Sequence, residues 1–152
     1  MLTQISHIAI RVTDLDRALE FYLKIPGITE HFRISQANGT PWLVYLRVCR
    51  RQFVELFPDA SQPSIRPTGS GYAHVCFEVD DINEMYNQIV DAGIKTHGEP
   101  MLGADNSWQF WISDPDGNMI EFHQFTADSL QLKSEDLQPV VEQEPCESDG
   151  GV

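Results

Sequence analysis

His7-Ile-Ala-Ile-Arg-Val-Thr-Asp-Leu-Asp16 and His74-Val-Cys-Phe-Glu-Val-Asp-Asp-Ile-Asn83 are two versions of one pattern. Each opens on a histidine and alternates apolar with other residues for about six positions, the two-residue period of a strand. Each then reaches a helix-capping residue, Thr13 or Asp14 in the first stretch and Asp80 or Asp81 in the second. After the caps, Leu15, Ala18, Leu19, Tyr22 and Leu23 recur at helical spacing, as do Ile82, Met85, Tyr86, Ile89 and Val90. Gly27 and Gly93 are expected to stop the two helices.

Downstream the correspondence continues without a gap. Trp42 to Glu55 and Trp108 to Glu121 are both 13 residues, and Phe53-Val-Glu-Leu-Phe57 answers Met119-Ile-Glu-Phe-His123. Asp114-Pro-Asp-Gly-Asn118 is a strong turn sequence and makes the second module's last two strands a hairpin. The expected fold is therefore α+β: two tandem βαβββ modules, about 4–61 and 71–126, forming a curved sheet with helices outside.

Composition bounds the rest. The chain has 152 residues, 41% of them apolar, which suffices for one domain with a real core. Residues 1–126 form the expected domain. From Ala127 to Val152 the sequence is acidic and holds no aromatic residue, so it reads as a disordered tail, with an acidic partner-binding tail as the alternative. No apolar run is long enough for a transmembrane helix, and the N-terminus lacks the marks of a signal peptide. These features, with only three cysteines, point to a cytoplasmic protein with reduced thiols. The 23 acidic residues against 10 basic give a net charge of −13, which repels nucleic-acid backbones and anionic membranes.

Strand alternation sorts the faces. Ile8, Ile10 and Val12 oppose His7, Ala9 and Arg11; Val75, Phe77 and Val79 oppose His74, Cys76 and Glu78. In the last strands, Val54 and Leu56 oppose Phe53, Glu55 and Phe57, while Ile120 and Phe122 oppose Met119, Glu121 and His123. The repeat thus puts a histidine and a glutamate at equivalent positions of each module: His7 with Glu55, and His74 with Glu121. Taken singly, each reads as an ordinary strand residue. Taken as a symmetric set, two imidazoles and two carboxylates suit one divalent ion of nickel, cobalt, zinc, iron or manganese. A cation also relieves the repulsion of two enclosed carboxylates. His123 shares the face of Glu121 and is a candidate for lining the same cavity. His31 and His97 stand in loop-like context and read as solvated. Phe53, Phe57, Trp42, Trp108 and Trp111 read first as core and second as a ligand-stacking wall. Cys76 reads as a small buried residue or as a lining residue.

The segments SHIAIRVTDLDRALEFY, FVELF, GYAHVCFEVDDI and SDPDGNMIEFHQ resemble the vicinal oxygen chelate superfamily, and most closely glyoxalase I-like (lactoylglutathione lyase-like) proteins. The resemblance spans about residues 4–125. It implies a metal-centred cleft with His7, Glu55, His74 and Glu121 as ligands, a small-molecule substrate and a homodimer. It also implies a lyase or isomerase that moves a proton through a carboxylate and a metal-stabilised enediolate, with Glu121 as the base and Glu55 assisting. Arg11 matches the arginine that binds a glutathione carboxylate, and Phe53, Phe57 and His123 fall among the implied substrate-binding positions. Asp59 occupies the position of a glutathione-binding asparagine, where its charge would repel that same carboxylate. Two other readings accompany this one. His7, His74 and Glu121 alone would make an iron(II) extradiol-type dioxygenase, and an aromatic cleft without metal would make a bleomycin-resistance-type binding protein.

Overall fold

The computed structural model describes residues 1–59 and 71–133 and divides them into two units. The first unit runs from Met1 to Tyr72 and includes the turn Asp114–Gly117. Its elements are β1 (His7–Val12), α1 (Leu15–Tyr22), β2 (Thr29–Ser35), β3 (Pro41–Cys49) and β4 (Gln52–Pro58). The second unit contains β5 (His74–Glu78), α2 (Ile82–Asp91), β6 (Met101–Leu102), β7 (Trp108–Ser113) and β8 (Met119–Gln124). Each is a βαβββ module, and each has its own four-stranded mixed sheet. The strand orders are β1-β4-β3-β2 and β5-β8-β7-β6, so neither sheet closes on itself.

The two sheets obey one rule. The first strand lies parallel to the last, while the last three are antiparallel neighbours. The parallel seam needs a crossover, and the helix provides it. In the first unit Ala9 faces Glu55 across the seam; in the second Cys76 faces Glu121. The expected hairpin is present, with β7 and β8 joined by Asp114–Asn118 and Gly117 held at φ 80°. A left-handed backbone there favours glycine.

Asp14 and Asp81 cap the helices, accepting backbone N–H bonds from Arg17 and from Asn83 and Glu84. Gly93 directly follows the Ala92 cap of α2, as expected. The first helix differs: it ends at Tyr22, well before Gly27. Pro26 explains this, because it has no N–H to donate to the Tyr22 carbonyl and disfavours helical backbone at Ile25. The chain continues in tighter turns, with Lys24 and Ile25 donating to the carbonyls of Phe21 and Tyr22.

The apolar faces pack as alternation requires. Ile10, Val12, Ala18, Leu19, Tyr22, Val54 and Leu56 fill the first unit's core. Val75, Ile82, Ile89, Phe110, Ile112, Ile120 and Phe122 fill the second, with Phe110 stacked on Phe122. Each of the buried Val, Leu, Ile and Phe side chains contributes roughly 1.5–3 kcal/mol when taken from water. Trp42 and Trp108 do not join these cores. They are 51% and 40% exposed, which overturns the core reading for both. His31 is likewise in β2 rather than a loop, stacked against Phe53.

The chain remains hydrogen-bonded beyond residue 126. Ser129 is fully buried with its hydroxyl on Ser107, and Leu130 donates its backbone N–H to the Asp105 carbonyl. The boundary drawn at 126 therefore falls inside packed structure, and residues 134–152 lie outside the described residues. Cys76 is a free thiol. Among the described residues no helix is long and apolar enough to cross a membrane.

Candidate functional site

Each parallel seam brings one histidine beside one glutamate. In the first unit His7 begins β1, and Glu55 lies at the middle of β4, where neighbours on both sides leave it 5% exposed. The His7 Nε2 atom is 3.6 Å from Glu55 Oε2. In the second unit His74 begins β5, Glu121 is 8% exposed in β8, and Nε2 to Oε2 is 3.0 Å. Both imidazoles remain partly open to solvent while both carboxylates are nearly enclosed. The structure thus brings together His7 with Glu55 and His74 with Glu121. Among the described residues no group of three or more His, Cys, Asp or Glu side chains comes together as a metal site. Each unit offers two donors. An imidazole nitrogen beside a carboxylate oxygen is a donor pair that suits a borderline divalent ion, so the residues present fit such a group.

The surroundings of the two carboxylates differ. Tyr45 sits directly across from Glu55 in the β3–β4 register, and its ring meets that of His7 edge-on at 6.4 Å. The interaction with Glu55, then burial, raises the phenol's pKa. The corresponding position opposite Glu121 is Trp111, whose ring meets His74 edge-on at 4.7 Å. Across the parallel seam the neighbour of Glu121 is Cys76 on β5. Desolvation first, then the neighbouring Glu121 charge, push this thiol up to about 12, so it is not a reactive thiolate.

Phe53 and Phe57 are half-buried on the Glu55 face, as alternation places them. Phe53 is in contact with the rings of His31 and Tyr45, Tyr45 stacks on Phe32 at 4.3 Å, and Phe57 meets Trp42 edge-on. His123 is buried on the Glu121 side of β8, with Nε2 at 3.2 Å from Asp105 Oδ2. Asp105 also accepts from the Gln131 amide at 2.5 Å and from the Ser107 backbone. The Gln131 bond above all holds the Asp105 carboxyl well below the usual range, with His123 and Ser107 adding to it. Arg11 is 80% exposed in its side chain and bonds Asp59 at 2.6 Å. The arginine and the aspartate whose charge departs from the family pattern are therefore partners.

Sequence reasoning missed Tyr45, Asp105 and Gln131. Tyr45 carried a usable signal, because it precedes Glu55 by the same ten residues that separate Trp111 from Glu121. Asp105 and Gln131 carried none, since neither stands in a repeated position.

The parallel seam, the two βαβββ modules and the twofold His–Glu placement define the class. The model of the Glyoxalase/Bleomycin resistance protein/Dioxygenase superfamily matches residues 4–122, and the chain belongs to that superfamily. It is 29% identical to a probable lactoylglutathione lyase of Synechocystis sp. over 78% of this chain and 92% of that protein. It is 26% identical to the glutathione transferase FosA of Serratia marcescens over 81% of this chain and 82% of that one. A glyoxalase family protein from Enterococcus faecalis shares its fold with a TM-score of 0.68 at 23% identity, covering 79% of this chain and 96% of that chain. The superfamily includes enzymes, and lyase-like and transferase-like relatives both stand at low identity to this chain.

Proposed function

We propose that this chain is a metal-dependent, glyoxalase I-like lyase or isomerase acting on a small carbonyl substrate. The observation that carries the reading is the repeated pair: an imidazole and a nearly buried carboxylate, set side by side across the parallel seam of each module. In this reading His7, Glu55, His74 and Glu121 hold one divalent ion. Such an ion, when bound, supplies Lewis-acid polarisation of adjacent substrate oxygens. The chain's own residues do the rest. Glu121 removes a carbon-bound proton and returns it to the neighbouring carbon. Glu55 stays in place as its negatively charged counterpart. Phe53 and Phe57 give the substrate an apolar wall, and His123, held by Asp105, is a further substrate-binding residue. The protein works as a homodimer in the cytoplasm.

The Arg11–Asp59 pair bears on the substrate. A guanidinium already neutralised by a carboxylate at 2.6 Å is a poor receptor for a second one. A small carbonyl compound without a glutathione carboxylate fits this arrangement better than a glutathione adduct, although lactoylglutathione lyase activity belongs in the same assay panel. The aromatic group of Phe32, Tyr45, Phe53 and His31 favours a second reading, a binding protein that stacks a planar ligand without metal.

The test is metal content of protein purified without chelator, then turnover on glyoxalase, isomerase and catechol substrates, beside Glu121→Gln and Glu55→Ala. Near-stoichiometric metal in the parent, lost in Glu55→Ala, is expected. Turnover is expected to fall about 10²–10⁴-fold in Glu121→Gln with metal retained. Oxygen consumption with catechols, and metal unaffected by Glu55→Ala, would replace the reading with the dioxygenase. Absence of metal uptake with tight binding of a planar ligand would replace it with the binding protein.

A further inference from the structure

We propose that Asp105 is a positioning residue, clamped by Gln131 from the segment after β8, that fixes the His123 ring with its Nδ1 lone pair offered to the substrate as a hydrogen-bond acceptor. This role rests on the reading of His123 as a substrate-binding residue.

Asp105 stands in the loop between β6 and β7, which folds tightly on itself. Gly103 donates its backbone N–H to the Ser107 carbonyl, and Asn106, at φ 65°, donates to the Gly103 carbonyl. Gly103 leaves the carboxylate its room: a Cβ there would lie 2.7 Å from Asp105 Oδ1 and 3.1 Å from Gln109 Nε2. Both carboxylate oxygens are engaged. Oδ1 accepts from the Ser107 backbone at 3.2 Å, while Oδ2 accepts from Gln131 Nε2 at 2.5 Å and from His123 Nε2 at 3.2 Å. A carboxylate held by two other donors meets the imidazole from one direction.

The segment after β8 builds the clamp. Thr126 Oγ1 donates to the Asn106 carbonyl at 2.7 Å, the Ser107 hydroxyl donates to that of Ser129 at 2.7 Å, and the Leu130 N–H donates to the Asp105 carbonyl at 2.9 Å. Ser107 and Ser129 are fully buried, so their bond is shielded from competing water. Gln131 follows directly, which brings its amide onto the carboxylate.

The His123 ring is buried, and Phe125 meets it edge-on at 4.7 Å. An ionised carboxylate only accepts, so a neutral imidazole facing it carries its proton on Nε2 and a lone pair on Nδ1. Among the described residues Nδ1 has no hydrogen-bond partner, and no enclosed side-chain nitrogen lacks one, so Nδ1 opens on accessible space. His123 stands two residues from Glu121 on β8, and strand alternation gives the two side chains one face. An acceptor on the face of the proton-moving carboxylate selects a carbonyl compound that brings a hydroxyl to it. An analogue without that donor leaves Nδ1 unpaired.

The experiment reads the two ring nitrogens of His123 by ¹⁵N NMR on the full chain without metal, at about pH 8, above the ordinary histidine range. The signals are assigned by their loss in His123→Gln. A proton is expected on Nε2 and none on Nδ1. That proton should exchange with water roughly tenfold faster or more in Asp105→Ala, the scale of one lost hydrogen bond to a charged group. Asp105→Asn keeps the size and an accepting oxygen without the charge and should fall between. Gln131→Ala should speed the exchange roughly threefold, the scale of an ordinary hydrogen bond. Hydroxyacetone and methoxyacetone, which differ only in the hydroxyl and its methyl ether, are then added with and without Zn²⁺. Hydroxyacetone should shift the Nδ1 signal and methoxyacetone should not. A proton on Nδ1, or exchange unchanged in both Asp105 variants, overturns the role of Asp105. Exchange unchanged in Gln131→Ala overturns the clamp. An absent or equal Nδ1 response to the two probes in both states overturns the acceptor role. The proton readings need no metal, so a parent that takes up no Zn²⁺ overturns the metal-dependent reading while the proton and the two probes still decide the role of Asp105.

Discussion

The first module gathers mostly rings about the strand that carries its glutamate; the second sets one ring, Trp111, opposite Glu121 and a run of polar groups at His123. Phe32, Tyr45, Phe53 and Phe57 belong to the Glu55 module, while Cys76, Asp105, His123 and Gln131 belong to the Glu121 module. The backbones that carry them follow one plan, down to the residue that faces each glutamate across the parallel seam. What the difference teaches is that the repeated framework fixes where a histidine–carboxylate pair can form, and that the flanking positions decide what each pair can do.

The same contrast runs through the helices, and it can be broken there. Tyr22 in α1 and Ile89 in α2 occupy equivalent buried positions. Tyr22 donates its hydroxyl to Asp114 at 3.0 Å, whereas Ile89 simply packs. Tyr22→Phe removes a buried hydrogen bond to a charged group and should cost about 1–3 kcal/mol in urea unfolding. Ile89→Val should cost about 0.5–1.5 kcal/mol. Equal losses would mean that the hydroxyl adds nothing beyond packing.

The alkaline limb of stability sharpens the point. Burial, then the Asp114 carboxylate, hold the Tyr22 phenol well above its ordinary 10.0. A group whose folded pKa is raised binds its proton more tightly in the folded state. Its contribution is complete below about pH 10, the unfolded value, and declines as pH climbs beyond it. The stability difference between the parent and Tyr22→Phe should therefore shrink above pH 10. A difference that stays constant through that range would remove Tyr22 as the source.

The smallest expected effect is at the hairpins. Arg51 and Gly117 hold equivalent turn positions, with φ of 63° and 80°. Gly117→Ala should cost about 1 kcal/mol, and Arg51→Gly should gain a few tenths, on the order of the left-handed penalty less the entropy of glycine. Thermal denaturation of the two variants would show opposite signs, and the same sign in both would contradict the equivalence of the turns.

Most of the fold was legible because it is written twice. Asp14 and Asp81, the alternating strands and the Asp114–Asn118 turn each follow from short-range chemistry, and the repeat checks one copy against the other. The end of α1 departs from the Gly27 expectation because Pro26 is the nearer and stronger breaker. His7 beside Glu55 and His74 beside Glu121 were legible for the same double reason, through a two-residue period and matched spacing. The aromatic positions were harder. Trp42 and Trp108 are large and apolar, but they begin their modules' paired strands, where the sheet gives them no cover. The Arg11–Asp59 contact joins a strand to the residue just past its parallel neighbour, and nothing local sets that register. The Gln131–Asp105 bond comes from a stretch whose composition reads as unstructured, because its anchors, Ser129 and Leu130, act through backbone and hydroxyl groups rather than apolar bulk.

The parallel seam also governs when either pair can exist. A hairpin such as β7–β8 closes a short loop and can form early. Joining β1 to β4, or β5 to β8, links the two ends of a module and closes the longest loop within it. His7 meets Glu55, and His74 meets Glu121, only across these joints. Each pair is thus assembled by the most entropically demanding contact of its module, and a chain that has folded only its hairpins presents the two carboxylates without their histidines. Any ligand that needs both members of a pair recognises the finished module and draws the folding equilibrium toward it.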